Sequence, residues 1–176
     1  MLLVEPEPGC ARRLAERFAG DDRVTIAEQT LPAALSLTEN GFDLVVCQNV
    51  LEHVADDGAA LRAMARALRP GGRLALVVPA GADLFGPLDD AYGHWRRYER
   101  KELGDLVGGA GLEVEQLDFV NALGIPGWRV KNARPGARIG RSSLRAYEAL
   151  VALWRPLEER LGPNRGLSLL CLARRA

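Results

Sequence analysis

Short apolar runs alternate with amphipathic stretches along the whole chain. The apolar runs, each bounded by turn residues, predict buried strands at Met1–Glu5, Val24–Ala27, Phe42–Cys47, Arg73–Pro79, Leu112–Val120 and Gly166–Ala173. Apolar positions at helical spacing predict helices over Cys10–Phe18, Asp56–Leu68, Glu99–Gly109 and Ser142–Leu161. Residues 122–141, which are rich in Gly, Pro and Arg, predict a long irregular segment. Strands alternating with helices predict a doubly wound α/β fold whose sheet is mostly parallel.

Residues that directly follow the predicted strands are the first candidates for a ligand site. In such folds ligands bind beyond the carboxyl ends of the strands, which here are followed by Glu5-Pro6, Glu28-Gln29-Thr30, Gln48-Asn49 and Pro79-Ala80. An acid in the place of Glu5 can accept hydrogen bonds from both hydroxyls of a ribose. Taken alone, Glu5 is equally well explained as a solvated acid in a turn.

Composition adds a division of charge to this picture. The 176 residues have zero net charge and a mean hydropathy of −0.06. Residues 1–118 carry 20 acidic and 12 basic side chains, whereas residues 119–176 carry 3 and 11. No apolar run is long enough to span a membrane, and three widely spaced cysteines suggest buried thiols rather than disulfides. Together with a start that lacks the features of a signal peptide, these observations predict a cytoplasmic protein.

Two motifs resemble a known enzyme family. The stretch Phe42-Asp-Leu-Val-Val-Cys-Gln-Asn-Val-Leu-Glu-His53 and, after a helix, Leu68-Arg-Pro-Gly-Gly-Arg-Leu74 are similar to the Rossmann-like (class I) S-adenosylmethionine-dependent methyltransferases. The downstream segments Gly93-His-Trp-Arg-Arg-Tyr98 and Asn121-Ala-Leu-Gly-Ile-Pro-Gly-Trp128 resemble a bacterial subgroup of that family. The resemblance implies one methyltransferase-like domain over residues 1–176. Residues 1–121 would form its cofactor-side core, and residues 122–176 its basic loop, last helix and last strand.

The resemblance also assigns site residues. It implies that S-adenosylmethionine is the cofactor, with Glu5 on the ribose, Pro6 beside the adenine, and Glu28, Gln29, Thr30 and Leu31 bordering that base. Glu28 and Gln29 stand where many relatives have Gly-Asp, which leaves open which side chain addresses the adenine. Asn49 and Val50 would lie along the methionine part of the cofactor. His94, Arg97 and Tyr98 would close the substrate side.

His94 and Tyr98 are the candidate catalytic residues. A histidine with an ordinary pKa can accept a proton near neutral pH, so His94 is a candidate general base, although packing or substrate orientation explains it as well. His53 has an alternative role in satisfying backbone groups of its turn. Some relatives bind a divalent metal through E-x-x-E-H, but here Asn49 replaces the first carboxylate. A neutral amide weakens a site for a hard cation, and we therefore predict no metal.

The basic C-terminal third suggests an anionic partner. Its acid-free segment includes Arg129, Arg134, Arg138 and Arg141, which could bind an anionic small-molecule acceptor or form a solvated loop; nothing in it specifies nucleic acid. An apolar stripe on the predicted helix from Ser142 is typical of core packing or of a contact in a homo-oligomer.

The glycine-rich loop that ends the first strand of this family has no counterpart in the sequence. Met1–Glu5 matches the second strand of the family, so we expect a truncated domain that begins one strand–helix unit late. In a sheet whose order resembles 3-2-1-4-5-7-6, that leaves two half-sheets with unpaired inner edges, or forces the second strand against the fourth. We expect such a chain to bind S-adenosylmethionine poorly.

Three functions compete on this basis. The first is methyl transfer from S-adenosylmethionine to an unidentified acceptor, which we expect to be impaired because the glycine-rich loop is absent. The second is a non-catalytic, methyltransferase-like module that binds a partner through its exposed edge or basic segment. A nicotinamide-binding enzyme is a weaker third option, because the Asn49–His53 turn and the Pro70-Gly71-Gly72 hairpin argue against it.

Overall fold

The computed structural model contains six strands and five α-helices whose residues are all described. The described residues are 1–35, 39–133, 151, 154, 156, 158, 160 and 162–176. The strands are β1 (Leu2–Val4), β2 (Thr25–Ala27), β3 (Phe42–Gln48), β4 (Leu68–Pro79), β5 (Leu112–Val120) and β6 (Ser168–Arg175). The helices are α1 (Pro8–Arg17), α2 (Asp57–Ala67), α3 (Pro87–Tyr92), α4 (Arg100–Gly109) and α5 (Gly124–Ala133).

The strands form two sheets. Strands β1 and β2 pair in parallel, and the second sheet has the order β3-β4-β6-β5. Strand β3 runs parallel to β4, whereas β6 lies between β4 and β5 and runs antiparallel to both. The predicted α/β class is confirmed, and β6 is the antiparallel exception within the second sheet.

The core lies where β4 meets α2 and α4. Alternate side chains of β4, namely Leu74, Leu76 and Val78, are fully buried, and α2 presents Leu61 and Met64 to the same cluster. The predicted cap of α2 is confirmed, because the Asp56 side chain accepts a hydrogen bond of 2.8 Å from the Ala59 N–H. Because these side chains are buried, the second sheet fixes the positions of the residues that follow its strands.

Two predicted segments differ from the structure by more than two residues. Strand β4 begins at Leu68 rather than at Arg73, because Leu68 already pairs with Phe42 before an irregularity in register. The segment 122–141 is not irregular throughout, since Gly124–Ala133 forms α5 despite its two glycines and its proline. The predicted helix over Ser142–Leu161 lies largely outside the described residues, and those described between 151 and 160 are helical.

Strands β1 and β3 are edge strands of their respective sheets. The sequence analysis expected either two half-sheets or the second strand of the family forced against the fourth. The structure has two separate sheets, as in the first arrangement. On β3 the side chains of Leu44 and Val46 are 54% and 66% exposed, although the strand is apolar. An open, apolar strand edge is a surface that favours contact with a ligand or another chain.

Among the described residues, no helix has both the length and the apolar character required to cross a membrane.

The hairpin before the regular part of β4 provides a stability test. A Cβ at Gly72 would lie 2.9 Å from the Arg69 carbonyl oxygen and 3.0 Å from that of Phe42. We expect Gly72→Ala to lower the free energy of unfolding by about 1–3 kcal/mol, because backbone atoms must shift. The control Gly108→Ala has open space around its Cβ in α4 and should change stability by at most about 1 kcal/mol, in the stabilising direction. Urea unfolding measures both, and equal effects would contradict this packing argument.

Candidate active site

A groove of about 1060 Å³ lies between β1 and β3 and extends past the carboxyl ends of the strands. Six of the eight residues that the sequence assigned to the cofactor line it: Glu5, Pro6, Gln29, Thr30, Leu31 and Val50. They meet because β1 and β2 are parallel and end side by side, with Val4 opposite Ala27. The walls of the groove are largely apolar side chains of β1 and β3, including Leu44 and Val46.

The other two predicted cofactor residues lie elsewhere. Glu28 lines a smaller cavity of about 460 Å³ on the α1 side of β2. Asn49 is not among the residues that line the groove. Its backbone adopts a positive φ of 50°, and its N–H donates to the Val77 carbonyl at 2.9 Å. Asn49 therefore turns the chain out of β3 and places Val50 on the groove.

Glu5 is held at the mouth of the groove by backbone contacts. Its N–H donates to the Ala27 carbonyl at 3.0 Å, which extends the pairing of β1 with β2 by one residue. Its Oε1 accepts a hydrogen bond of 2.9 Å from the Glu7 N–H. The described residues give its Oε2 no hydrogen bond, so this carboxylate can still accept from a ligand hydroxyl.

At the other end of the groove, the turn after β3 approaches the loop after α3. The short 3₁₀ turn Leu51–His53 buries Glu52 and leaves His53 exposed on the groove. The His53 ring meets the His94 ring edge-on, with centroids 4.8 Å apart. The Trp95 N–H donates to the Glu52 carbonyl at 2.8 Å and joins the two segments. Burial raises the pKa of the Glu52 carboxyl above its ordinary value.

His94 is positioned by a buried carboxylate. The imidazole Nδ1 of His94 lies 2.8 Å from Asp89 Oδ1, and Asp89 is 0% exposed. The same Oδ1 accepts from Arg97 Nε at 2.9 Å, while Oδ2 accepts from the Gly86 N–H at 3.0 Å. These contacts hold the imidazole against α3 and leave its Nε2 directed away from Asp89.

Arg97 completes this buried network. Its guanidinium donates to the Ala80 carbonyl at 3.1 Å, just past the end of β4, and stacks over the Trp128 ring at 4.3 Å. The Trp128 indole donates in turn to the Leu84 carbonyl at 3.0 Å. The sequence placed Arg97 on the substrate side, but its buried contacts make it a positioning residue.

Tyr98, like His94, is not among the residues that line the groove. Its side chain is fully buried, and its hydroxyl donates to Asp57 Oδ2 at 3.0 Å. Burial, together with the neighbouring Asp57 carboxylate, raises the pKa of this phenol far above its ordinary value. Tyr98 therefore packs in the core and keeps its proton, and the catalytic roles of His94 and Tyr98 stay predictions.

Sequence reasoning missed Glu52 and Asp89 as members of the site. Glu52 was noticed only as part of the turn motif, and Asp89 stands in Pro87-Leu-Asp-Asp90, where nothing distinguishes a buried acid from an exposed one. Of the predicted acceptor residues, Arg129 lies on α5 and is 3.6 Å from Asp83. Arg134, Arg138 and Arg141 lie outside the described residues.

The adjacent acids Asp89 and Asp90 give a matched stability test. We expect Asp89→Ala to lower the free energy of unfolding by about 3–5 kcal/mol, because it leaves the Arg97 guanidinium buried without its counter-charge. Asp90→Ala removes an exposed carboxylate and should change it by at most about 0.5 kcal/mol. Chemical unfolding of both variants checks this, and similar losses would show that the buried network does not stabilise the fold.

Comparisons with known proteins agree with this geometry. A family model described as a methyltransferase domain matches residues 2–76. The ubiquinone/menaquinone biosynthesis C-methyltransferase UbiE of Serratia proteamaculans is 39% identical over 74 residues, which are 42% of this chain and 29% of that protein. The match thus spans under a third of the length of that relative.

Two solved structures show the same fold. An S-adenosylmethionine-dependent methyltransferase from Mesorhizobium loti superposes with a TM-score of 0.60 at 18% identity, covering 99% of this chain and 80% of that one. A 1,6-didemethyltoxoflavin-N1-methyltransferase from Burkholderia thailandensis, solved with its toxoflavin compound and S-adenosylhomocysteine, gives 0.55 at 21% identity, covering 99% and 60%. In its sequence over residues 2–76 and in its fold, the chain is similar to the Rossmann-like (class I) S-adenosylmethionine-dependent methyltransferases.

Proposed function

We propose that this protein transfers a methyl group from S-adenosylmethionine to a small-molecule acceptor. The observation that supports this most directly is the shared groove. It brings Glu5, Gln29 and Val50 from three separate strand ends onto one surface, and the same surface reaches His53. When bound, S-adenosylmethionine supplies a methyl group on a positively charged sulfur, which a nucleophile can displace directly.

The residues of the groove fit such a cofactor. A carboxylate at Glu5 can accept the hydrogen bonds of two ribose hydroxyls, and the backbone at Pro6 and Leu31 offers an apolar border for a base. Glu28 lies on the α1 side of β2, so Gln29 and Thr30 are the candidates for polar contact with the adenine. The apolar wall at Val50 suits the aliphatic part of the methionine.

The acceptor side is proposed at His94 and His53. The Asp89 carboxylate orients the His94 imidazole, in the manner expected of a group that contacts or activates a nucleophile. We propose an anionic acceptor because residues 119–176, which include Arg129, carry 11 basic and 3 acidic side chains. The compartment that we propose is the cytoplasm, which agrees with three cysteines that form no disulfide.

A non-catalytic binding module is the second candidate, and one observation favours it. Strands β1 and β3 are edge strands, and the Leu44 and Val46 side chains of β3 are exposed. Strand edges of this kind can accept an extended segment of a partner. Saturable binding of S-adenosylmethionine that depends on Glu5 separates the two candidates, since a module that binds through β3 alone has no use for that carboxylate.

We expect Glu5→Ala to weaken the binding of S-adenosylmethionine about tenfold or more. Loss of charge-assisted hydrogen bonds to a ribose costs about 1.5–3 kcal/mol, and each 1.4 kcal/mol is tenfold in affinity. Glu16→Ala is the matched control, because Glu16 is an exposed acid on the neighbouring helix α1. Isothermal titration calorimetry with S-adenosylmethionine and S-adenosylhomocysteine measures all three proteins. Absence of binding by the parent chain, or equal binding by the Glu5 variant, would contradict the proposed cofactor site.

A further inference from the structure

Three potential ligand groups converge where the groove meets the loop after α3. These are the Glu52 carboxylate and the imidazoles of His53 and His94, whose ligand atoms all lie within 4.8 Å of one another. Glu52 and His53 come from the 3₁₀ turn after β3, whereas His94 follows α3 much later in the chain. The fold therefore assembles the cluster from two separate segments.

Glu52 lacks a partner for one of its oxygens. The side chain is 1% exposed, and Oε2 forms no hydrogen bond with any described residue. A buried acceptor without a partner costs about 1–3 kcal/mol, and more when it is charged. The neighbouring guanidinium of Arg97 is occupied by Asp89 and by the Ala80 carbonyl. An additional positive group near Oε2 would satisfy this carboxylate.

Both histidines are held through the same ring nitrogen, Nδ1. His53 Nδ1 lies 3.2 Å from the Gly93 carbonyl oxygen, and His94 Nδ1 lies 2.8 Å from the Asp89 carboxylate. Because both oxygens accept hydrogen bonds, each Nδ1 donates a proton, and the lone pair of each neutral ring is on Nε2. Histidines that ligate metals are commonly held in this way, by a carboxylate or carbonyl behind the ring.

We propose that Glu52, His53 and His94 bind one divalent transition-metal ion of the zinc class. Two imidazoles and one carboxylate form a three-ligand set that leaves a coordination position open. The sequence argued against a metal because Asn49 lacks the carboxylate that a hard cation needs. The fold instead supplies His94, and a nitrogen-rich set favours zinc over magnesium.

Binding draws the three groups closer together. Zinc bonds of about 2.0–2.2 Å place tetrahedral ligand atoms roughly 3.4 Å apart. The three ligand atoms now lie within 4.8 Å of one another, so the cluster must contract when the ion binds. His53 is the exposed member of the cluster, so its side chain can shift towards the two that are more buried. His53 also lines the groove, which directs the open coordination position to the acceptor side.

The role of the ion rests on the proposed function: it would bind an oxygen or nitrogen atom of the methyl acceptor. A bound divalent ion lowers the pKa of such a group and holds it in place, with the proton released to solvent. In that arrangement His94 acts as a metal ligand rather than as a general base. The binding of the ion itself does not depend on methyl transfer.

The test measures metal binding directly, on tag-free protein cleared of metal with a chelator and without S-adenosylmethionine. We expect calorimetric titration with Zn²⁺ to show one saturable site per chain, and Co²⁺ to give the visible absorption of a protein-bound ion. Glu52→Gln and His94→Gln should each weaken Zn²⁺ binding about tenfold or more. Asp90→Asn, a nearby exposed acid, is the matched control and should bind as the parent does. Mg²⁺ should not displace Zn²⁺.

Absence of a one-to-one Zn²⁺ site in the parent would overturn the proposal, as would variants of Glu52 and His94 that bind as tightly as the parent. Circular dichroism confirms that the variants are folded, and Glu52→Gln should fold because the amide removes a buried charge. A chain that binds Zn²⁺ but not S-adenosylmethionine would keep the metal site and contradict the proposed function. A chain that binds S-adenosylmethionine but has no Zn²⁺ site would keep the proposed function and contradict the metal site.

Discussion

The buried ion pair between Asp89 and Arg97 determines the position of His94 beside the turn after β3. Two charges removed from water are tolerated only when hydrogen bonds satisfy them. Asp89 accepts from His94, Arg97 and the Gly86 backbone, while Arg97 also reaches the Ala80 carbonyl and stacks on Trp128. One network thus joins the end of β4, α3 and α5, and the position of His94 is a consequence of it.

The groove has a different origin, in the division of the strands into two sheets. Because β1 and β3 both lie at edges, a groove with largely apolar walls opens between them, and Glu5, Gln29 and Thr30 add polar side chains where β1 and β2 end. The exposed side chains of Leu44 and Val46 belong to this groove as much as Glu5 does. The groove and the buried network meet at His53, which lines the groove and contacts the His94 ring.

The pattern of apolar and polar residues predicted an element well where local propensity and tertiary contacts favour the same structure. Strand β5 has the bounds Leu112–Val120 that its composition predicted, and Asp56 caps α2 as expected. Helix α5 was missed because Gly124, Pro126 and Gly127 are poor helix formers. In the folded chain, Trp128 and Asn132 of that helix both donate to the Leu84 carbonyl, and such tertiary anchoring outweighs weak local propensity.

The sequence by itself determined the α/β fold class, and it predicted six residues that the structure gathers in one groove, because side chains after parallel strands meet at one edge of the sheet. It could not decide which side chains face inward. Tyr98 and His94 belong to one short motif, yet the hydroxyl of the buried Tyr98 donates to Asp57, while the His94 ring contacts the ring of His53, which lines the groove. Nor could it pair Glu52 with His94, since local spacing carries no information about contacts between distant segments. The tertiary structure decided both, because the burial of Asp89 and Arg97 fixes how the loop after α3 meets the turn after β3.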